Sequence, residues 1–187
     1  MLTMVQHWDE TALVWIAQNL RIPVLNEVMI GYTTLGNAGL GFILVTVLLL
    51  CFRRTRRAGA AAGVSMALGL VVTNLTVKPL VERARPWVVM EGFEALVKSA
   101  DPHSFPSGHS CAAFAFGVAL AMALPQRWAK VLALAAAVLM AFSRLYVGVH
   151  FPSDVAAGSL IGAVCGVAGV GITRWASRLG ADRPAVG

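Results

Sequence analysis

Three short clusters of ionisable and small polar residues interrupt a sequence that is otherwise rich in apolar side chains. The first occupies residues 78–86 and contains Lys78 and Arg85. A guanidinium offers a planar fork of donors and an ammonium offers a point charge, so the two together could neutralise a phosphoryl group. A basic pair at the end of an apolar helix is also a common membrane anchor. This cluster alone leaves both interpretations open.

The second cluster, residues 104–109, has the composition of a helix start. Pro106 and Ser107 favour the first positions of a helix, with Ser107 as its N-cap. The unpaired N–H groups of a first helical turn attract anions, and Gly108 would let an anion approach closely. His109 follows in the same turn, where it could donate a proton to a leaving oxygen. The alternative is an ordinary capped helix with a histidine at the membrane interface.

The third cluster, residues 143–154, places a histidine between an arginine and an aspartate. Arg144 interrupts an apolar run, which predicts an anionic partner for it. His150 precedes Pro152, which can begin the next helix, and Asp154 then falls in the first turn of that helix. A carboxylate there could bind one imidazole nitrogen and leave the other as a nucleophile. The alternative is a structural His–Asp pair that joins two helices.

The composition indicates which elements must position these clusters. Of the 187 residues, 58% are hydrophobic and 13% are charged, and the mean hydropathy is +0.73, a balance typical of membrane proteins. Apolar runs close to the roughly 20 residues of a spanning helix occur five times. They are residues 28–52, 58–77, 104–126, 131–149 and 155–173.

The N-terminal segment differs from these runs. Residues 9–21 place apolar side chains at helical spacing behind a polar start, which predicts an amphipathic helix on the outer membrane surface. A helix packed against the bundle is the alternative. The predicted fold class is therefore all-α: an integral membrane helical bundle of about five transmembrane helices plus an N-terminal amphipathic surface helix. We expect residues 1–187 to form a single domain whose N-terminus is retained, because it lacks the features of a cleaved signal peptide.

The placement of charge predicts the orientation of the bundle. A net charge of +6 could suggest nucleic acid, but its distribution around the apolar runs does not, and no nucleic-acid partner is expected. Basic residues recur in the loops on one side, which the positive-inside rule makes cytoplasmic. They are Arg53, Arg54, Arg56, Arg57, Arg127, Lys130, Arg174, Arg178 and Arg183. All three clusters then meet at the opposite, outer face, together with every acidic residue except Asp182.

Taken together, the motifs identify a resemblance to a known family. The sequence resembles the type 2 phosphatidic acid phosphatase superfamily across residues 78–154, with the motifs in the family's order and spacing. The matching residues are Lys78 with Arg85 and Pro86, then Pro106, Ser107, Gly108 and His109, then Ser143, Arg144, His150 and Asp154. Many members have six spans, and the count here of five plus a surface helix departs from that pattern.

The resemblance implies a role for each motif residue. It implies that Lys78, Arg85 and Arg144 hold the phosphate, and that the backbone of Ser107 and Gly108 adds hydrogen bonds. By the same resemblance His109 is the general acid, His150 is the nucleophile, and Asp154 orients that nucleophile. The family uses no metal, and the three cysteines, Cys51, Cys111 and Cys165, lie in or beside apolar runs and predict neither a disulfide nor a metal site. No metal, cofactor or obligate protein partner is expected.

The implied function is a metal-independent lipid phosphate or pyrophosphate phosphatase that works through a phosphohistidine. It would be a multi-pass protein of the cell membrane, with its active site facing the periplasm or the cell exterior and the lipid bilayer around it. Undecaprenyl pyrophosphate is the favoured substrate for a bacterial source, and phosphatidylglycerol phosphate and phosphatidic acid are alternatives. More remote alternatives are a vanadium haloperoxidase, which shares the motifs, and a non-catalytic lipid-binding or transport protein.

Overall fold

The computed structural model describes residues 2–181 as a bundle of helices. The helices are α1 (Leu2–Asn19), α2 (Pro23–Leu35), α3 (Leu40–Cys51), α4 (Arg56–Leu70), α5 (Lys78–Val81), α6 (Pro86–Val89), α7 (Gly108–Ala123), α8 (Arg127–Tyr146) and α9 (Pro152–Ala181). A 3₁₀ turn (Asn37–Gly39) separates α2 from α3, and a π-helical segment (Val71–Val77) joins α4 to α5. Within residues 2–181, β pairing is limited to one isolated bridge between Ala84 and His103. The all-α prediction is confirmed.

Several of these helices have the length and composition of membrane spans. Three described helices are long and apolar enough to cross a membrane: Arg56–Val81, Arg127–Tyr146 and Pro152–Leu179. Helix α7 is apolar but shorter, with 16 residues. The predicted run 28–52 is divided into α2 and α3, which meet at a bend of 54°. The chain is a multi-pass membrane protein, as predicted, in which one predicted span is broken.

Helix α7 lies at the centre of the bundle and packs against α4, α8 and α9. Its side chains are small where α9 crosses it, and α9 presents glycines there. A Cβ atom on Gly158 would lie 2.4 Å from the carbonyl oxygen of Ser107, and one on Gly162 would lie 2.3 Å from that of Cys111. Small residues of this kind let membrane helices approach backbone to backbone. The close crossing fixes the start of α7 beside the start of α9.

Helix α1 packs against the bundle with one face, and its other face is exposed. It extends from Leu2 to Asn19 rather than over the predicted residues 9–21. Leu13 and Asp9 are buried, whereas Trp8 and Trp15 on the same helix are exposed. The helix therefore contacts α8 and α9 with one face. Asp182 and Arg183, used above in the prediction of orientation, lie outside the described residues.

Candidate active site

A cavity of about 610 Å³ brings the three clusters together. Its lining includes the C-terminal end of the helix Arg56–Val81, the loop that follows, the first turn of α7 and the end of α8. The predicted site residues in its wall are Lys78, Arg85, Gly108, His109, Arg144 and His150. Residues that are far apart in the sequence thus face one space. Two other predicted residues, Ser107 and Asp154, are buried behind this wall.

His150 lies in the short connection between α8 and α9, with 1% of its surface exposed. Its Nε2 atom lies 3.3 Å from Nη1 of Arg85, on the cavity side. Its Nδ1 atom lies 3.7 Å from Oδ2 of Asp154, slightly beyond hydrogen-bond length. Burial lowers the pKa of His150 to about 4, so its imidazole is neutral at neutral pH. A neutral ring with Nε2 facing the cavity has the lone pair that a nucleophile requires.

Asp154 lies in the first turn of α9, which begins at Pro152 as predicted. Its carboxylate is fully buried and accepts several hydrogen bonds. Oδ2 accepts from the hydroxyl of Ser104 at 2.6 Å and from the backbone N–H of Phe151 at 2.8 Å. Oδ1 accepts from Nη1 of Arg83 at 2.6 Å. The carboxylate beside His150 is therefore held in one orientation.

Lys78 and Arg85 share a carboxylate that the motifs did not predict. Asp101, from the loop before α7, forms an ion pair with Nζ of Lys78 and lies 3.5 Å from Nη2 of Arg85. Its backbone oxygen also accepts from Nε of Arg85 at 2.7 Å. Burial raises the pKa of Asp101, but the hydrogen bond from Lys78 and the nearby charges outweigh it and lower the pKa overall. An ionised carboxylate therefore lies between two cations that could bind a phosphate.

Arg144 has no carboxylate partner among residues 2–181, so the predicted anionic partner is not a side chain of this part of the chain. It is 4% exposed, and Nη1 donates to the hydroxyl of Thr33. Its Nε atom has no hydrogen-bond partner among these residues. A buried cation without a counter-ion is costly in a membrane protein. The cation lines the cavity, where a bound anion would neutralise it.

Ser107 caps α7, as predicted, and accepts a hydrogen bond from the backbone N–H of Ser110 at 3.4 Å. Its own N–H donates to the backbone oxygen of Asp154 at 3.0 Å. In this structure Ser107 thus joins the starts of α7 and α9 instead of lining the cavity. Of the two residues expected to bind phosphate through this backbone, Gly108 is the one in the cavity wall.

Two asparagines contact the start of α7. A Cβ atom on Gly108 would lie 3.0 Å from Oδ1 of Asn74, so the close approach of this side chain favours glycine. Asn74 comes from the π-helical segment, a distortion that often occurs at functional sites. Nε2 of His109 lies 3.2 Å from Oδ1 of Asn37, in the break between α2 and α3. The broken span thus supplies a polar partner to the predicted acid.

Sequence reasoning missed several residues of this site. They are Thr33, Asn37, Asn74 and Asp101. Three of them are polar side chains inside predicted apolar runs, and that was the one signal that could have singled them out. Asp101 stood among other charged residues of a long loop, where nothing in the local sequence distinguishes it.

The cavity continues from this polar end into an apolar arm between α3 and α4. Ile43 and Val47 line it from α3, and Met66 and Leu70 line it from α4. Two of these side chains are about half exposed, Ile43 at 46% and Leu70 at 54%. The two helices are in close contact further along, where a Cβ on Gly59 would lie 3.0 Å from the backbone of Leu50.

The fold and the cavity define an integral membrane protein whose helices enclose a cavity lined by two histidines and three cationic side chains. Residues 58–178 match the family model of the PAP2 superfamily. The chain belongs to this superfamily, and the sequence prediction of a lipid phosphatase is thereby confirmed.

Comparisons with individual proteins agree with this membership. The chain is 34% identical to the undecaprenyl-diphosphatase of Sulfolobus acidocaldarius over 142 residues, which cover 76% of this chain and 68% of that protein. The crystal structure of Aquifex aeolicus LpxE is similar with a TM-score of 0.75 at 28% identity, covering 85% of this chain and 92% of that one. A PAP2-type phosphatidylglycerolphosphate phosphatase from Bacillus subtilis has a TM-score of 0.74 at 30% identity, with coverage of 92% and 87%.

Proposed function

We propose that this chain is a metal-independent phosphatase that removes a terminal phosphate from a lipid phosphate or pyrophosphate through a phosphohistidine on His150. The observation that carries the proposal is the contact of 3.3 Å between Nε2 of His150 and Nη1 of Arg85. A phosphate bound by Arg85 would therefore lie next to Nε2 of His150, the potential nucleophile. Lys78 and Arg144 line the same cavity, and this excess of cations favours an anion over a metal ion.

In the first step, Nε2 of His150 attacks the terminal phosphorus and the bond from phosphorus to the lipid oxygen breaks. Lys78, Arg85 and Arg144 neutralise the charge on the equatorial oxygens, together with the N–H groups at the start of α7. His109 donates its proton to the departing lipid oxygen. Asp154 accepts a hydrogen bond from Nδ1–H of His150 as that ring becomes positively charged.

In the second step, water attacks the phosphorus of the phosphohistidine. His109, neutral after the first step, accepts a proton from this water as the bond from phosphorus to Nε2 breaks. Inorganic phosphate leaves, and both histidines return to their starting protonation states.

The apolar arm of the cavity supports a lipid as the leaving group. A chain lying between α3 and α4 would contact Ile43, Val47 and Met66 while its phosphate remained at the cationic end. We propose undecaprenyl pyrophosphate as the substrate, with phosphatidylglycerol phosphate and phosphatidic acid as alternatives. The identity of 34% with an undecaprenyl-diphosphatase supports the first. A long polyprenyl chain would extend through the opening into the bilayer.

The orientation of the site forms part of the proposal. The loops at the end of the bundle opposite the cavity carry Arg53, Arg54 and Arg127, which supports placing that end in the cytoplasm. The cavity would then open toward the periplasm or the cell exterior. Residues 1–187 would act there as one phosphatase domain.

Phosphate release from a panel of the three lipids, in detergent and in the presence of EDTA, tests this function. We expect the purified protein to turn over with EDTA present and the undecaprenyl substrate to give the highest kcat/KM. His150→Ala should abolish release, whereas His7→Ala, a histidine on α1, should retain it. Activity that vanishes on chelation, or that survives in His150→Ala, would contradict the proposal.

A further inference from the structure

Arg83 connects the buried carboxylate beside His150 to the N-terminal helix. Its Nη1 atom donates to Oδ1 of Asp154 at 2.6 Å and to the hydroxyl of Ser153 at 2.7 Å. Its Nη2 atom donates to Oδ2 of Asp9 at 2.7 Å. One guanidinium therefore bridges two carboxylates, from α9 and from α1. Asp9 and Asp154 are both nearly inaccessible to solvent.

The position of Arg83 is itself fixed from several directions. Its guanidinium lies over the ring of Phe151, 4.1 Å from the ring centre, and it also donates to the side chain of Gln6. Asp9 is held in turn by Ser153, whose backbone N–H donates to Oδ1 at 2.9 Å. These contacts leave the bridge little freedom to rotate. A planar, two-pronged arginine suits such a bridge better than a lysine.

Arg83 does not line the cavity, so its charge acts on the carboxylate rather than on a bound phosphate. A buried carboxylate is costly unless it is paired, and Arg83 is the cation paired with Asp154. Oδ1 of Asp154 accepts from Arg83, and Oδ2 is the atom 3.7 Å from Nδ1 of His150. The bridge therefore acts with Ser104 and the N–H of Phe151, which hold Oδ2, to keep that oxygen turned toward the imidazole.

We propose that Arg83, clamped by Asp9 of α1, is a positioning residue that orients Asp154 and through it the His150 ring. The N-terminal helix thereby becomes part of the catalytic apparatus instead of a surface attachment. This inference rests on the proposed phosphohistidine function. It predicts an effect on the chemical steps and not on phosphate binding, because Arg83 contacts the nucleophile's carboxylate from the side away from the cavity.

The test compares kcat and KM of folded variants with undecaprenyl pyrophosphate in detergent micelles. Arg83→Gln should lower kcat by roughly tenfold to a hundredfold, the range for loss of an outer hydrogen-bond partner, with KM within about twofold of wild type. Arg83→Lys should recover part of the loss, because it restores the charge but not both prongs. Arg21→Gln is the matched control, since Arg21 donates to the backbone oxygens of Tyr146 and Glu94. It should leave kcat unchanged.

Asp9→Asn is a second, independent test of the inference. It should lower kcat by about tenfold alone, and it should add little to Arg83→Gln, because Asp9 acts through Arg83. If Arg83→Gln does not fold, the kcat of Asp9→Asn tests the inference by itself. An unchanged kcat in a folded Arg83→Gln or Asp9→Asn variant, or a raised KM with normal kcat in Arg83→Gln, overturns the inference. These outcomes differ from failure of the function itself, in which wild-type protein forms no phosphohistidine or His150→Ala still turns over.

Discussion

At the scale of single residues, the site is a group of buried cations with too few carboxylates to neutralise them. Lys78, Arg85 and Arg144 line the cavity, and Asp101 is the carboxylate in its wall. The excess positive charge is a cost to the folded protein that a bound phosphate would remove. Activity and stability should therefore respond differently when Arg144, which has no carboxylate partner among residues 2–181, is replaced.

Replacing Arg144 should separate the two effects. Arg144→Gln is expected to lower kcat/KM by about a hundredfold or more, because it removes a cation facing the transferring phosphoryl group. Its free energy of unfolding should be unchanged or up to ~1 kcal/mol higher, since an unpaired buried charge is lost. Turnover and thermal unfolding in detergent measure the two quantities. Arg127→Gln, at the exposed start of α8, should alter neither, and a marked loss of stability in Arg144→Gln would contradict this account.

Asp101 should compete with the phosphate for its two cations. In Asp101→Asn we expect the inhibition constant for inorganic phosphate to fall about fivefold. The substitution removes a negative charge whose repulsion weakens phosphate binding by about 1 kcal/mol. Competitive inhibition assays measure this constant. Glu94→Gln, on the exposed surface of the same loop, is the control and should leave it unchanged. Weaker phosphate inhibition in Asp101→Asn would show that the carboxylate helps to build the site.

The motif residues were predictable from sequence because their types and short spacings carry the chemistry. Their partners were not, because those contacts join distant parts of the chain. Arg83 meets Asp9 from α1, and His109 meets Asn37 from the break after α2. The sequence predicts an anionic partner for Arg144 without saying where it comes from, and the side chain that Arg144 contacts in the structure is the hydroxyl of Thr33. An arginine in an apolar run indicates that an anion is needed. The sequence does not indicate whether a side chain or a ligand supplies this anion.

At the scale of elements, the starts of two helices were predictable from the local sequence. Ser107 caps α7 and Pro152 begins α9, since capping and a fixed φ angle are properties of the residues themselves. The break of the run 28–52 was not predictable in the same way. Gly36 packs against His109 and Met140, where a Cβ would lie 2.8 Å from either side chain, so the break depends on tertiary contacts.

The crossing of α7 and α9 should be the most sensitive packing contact of the bundle. Gly162→Ala should lower the free energy of unfolding by about 1–3 kcal/mol, because the added methyl overlaps the backbone oxygen of Cys111. Gly171→Ala on the same helix is the control, since its Cβ would have nothing within 4 Å. Thermal unfolding of both variants in detergent measures the difference. Equal stabilities would contradict the close crossing.

At the scale of the whole molecule, the bundle has two chemically different ends. The polar part of the cavity lies at the end where α7 and α9 begin. At the other end, Arg53 and Arg54 lie between α3 and α4, and Arg127 begins α8. Helices Arg56–Val81, Arg127–Tyr146 and Pro152–Leu179 join these ends. The family membership establishes a membrane phosphatase, and the proposed orientation adds that its substrate is processed at the outer face.

Labelling of intact cells with a membrane-impermeant maleimide tests the orientation. In a chain with Cys51→Ser, a cysteine introduced as Ala100→Cys should react from outside, because Ala100 is exposed on the loop beside the cavity. Gln126→Cys, exposed in the connection between α7 and α8, should react after the membrane is permeabilised. The reverse pattern would place the site in the cytoplasm and contradict the positive-inside prediction.

The central claim is that His150 carries the phosphoryl group during turnover, and rapid quenching with substrate labelled in its terminal phosphate tests it most directly. The account predicts an acid-labile, alkali-stable label that forms and decays at rates consistent with kcat. Mass spectrometry of the quenched protein should locate it on His150, and His150→Ala should show none. A wild-type enzyme that turns over with no label on His150, or with the label on another side chain, would contradict the account.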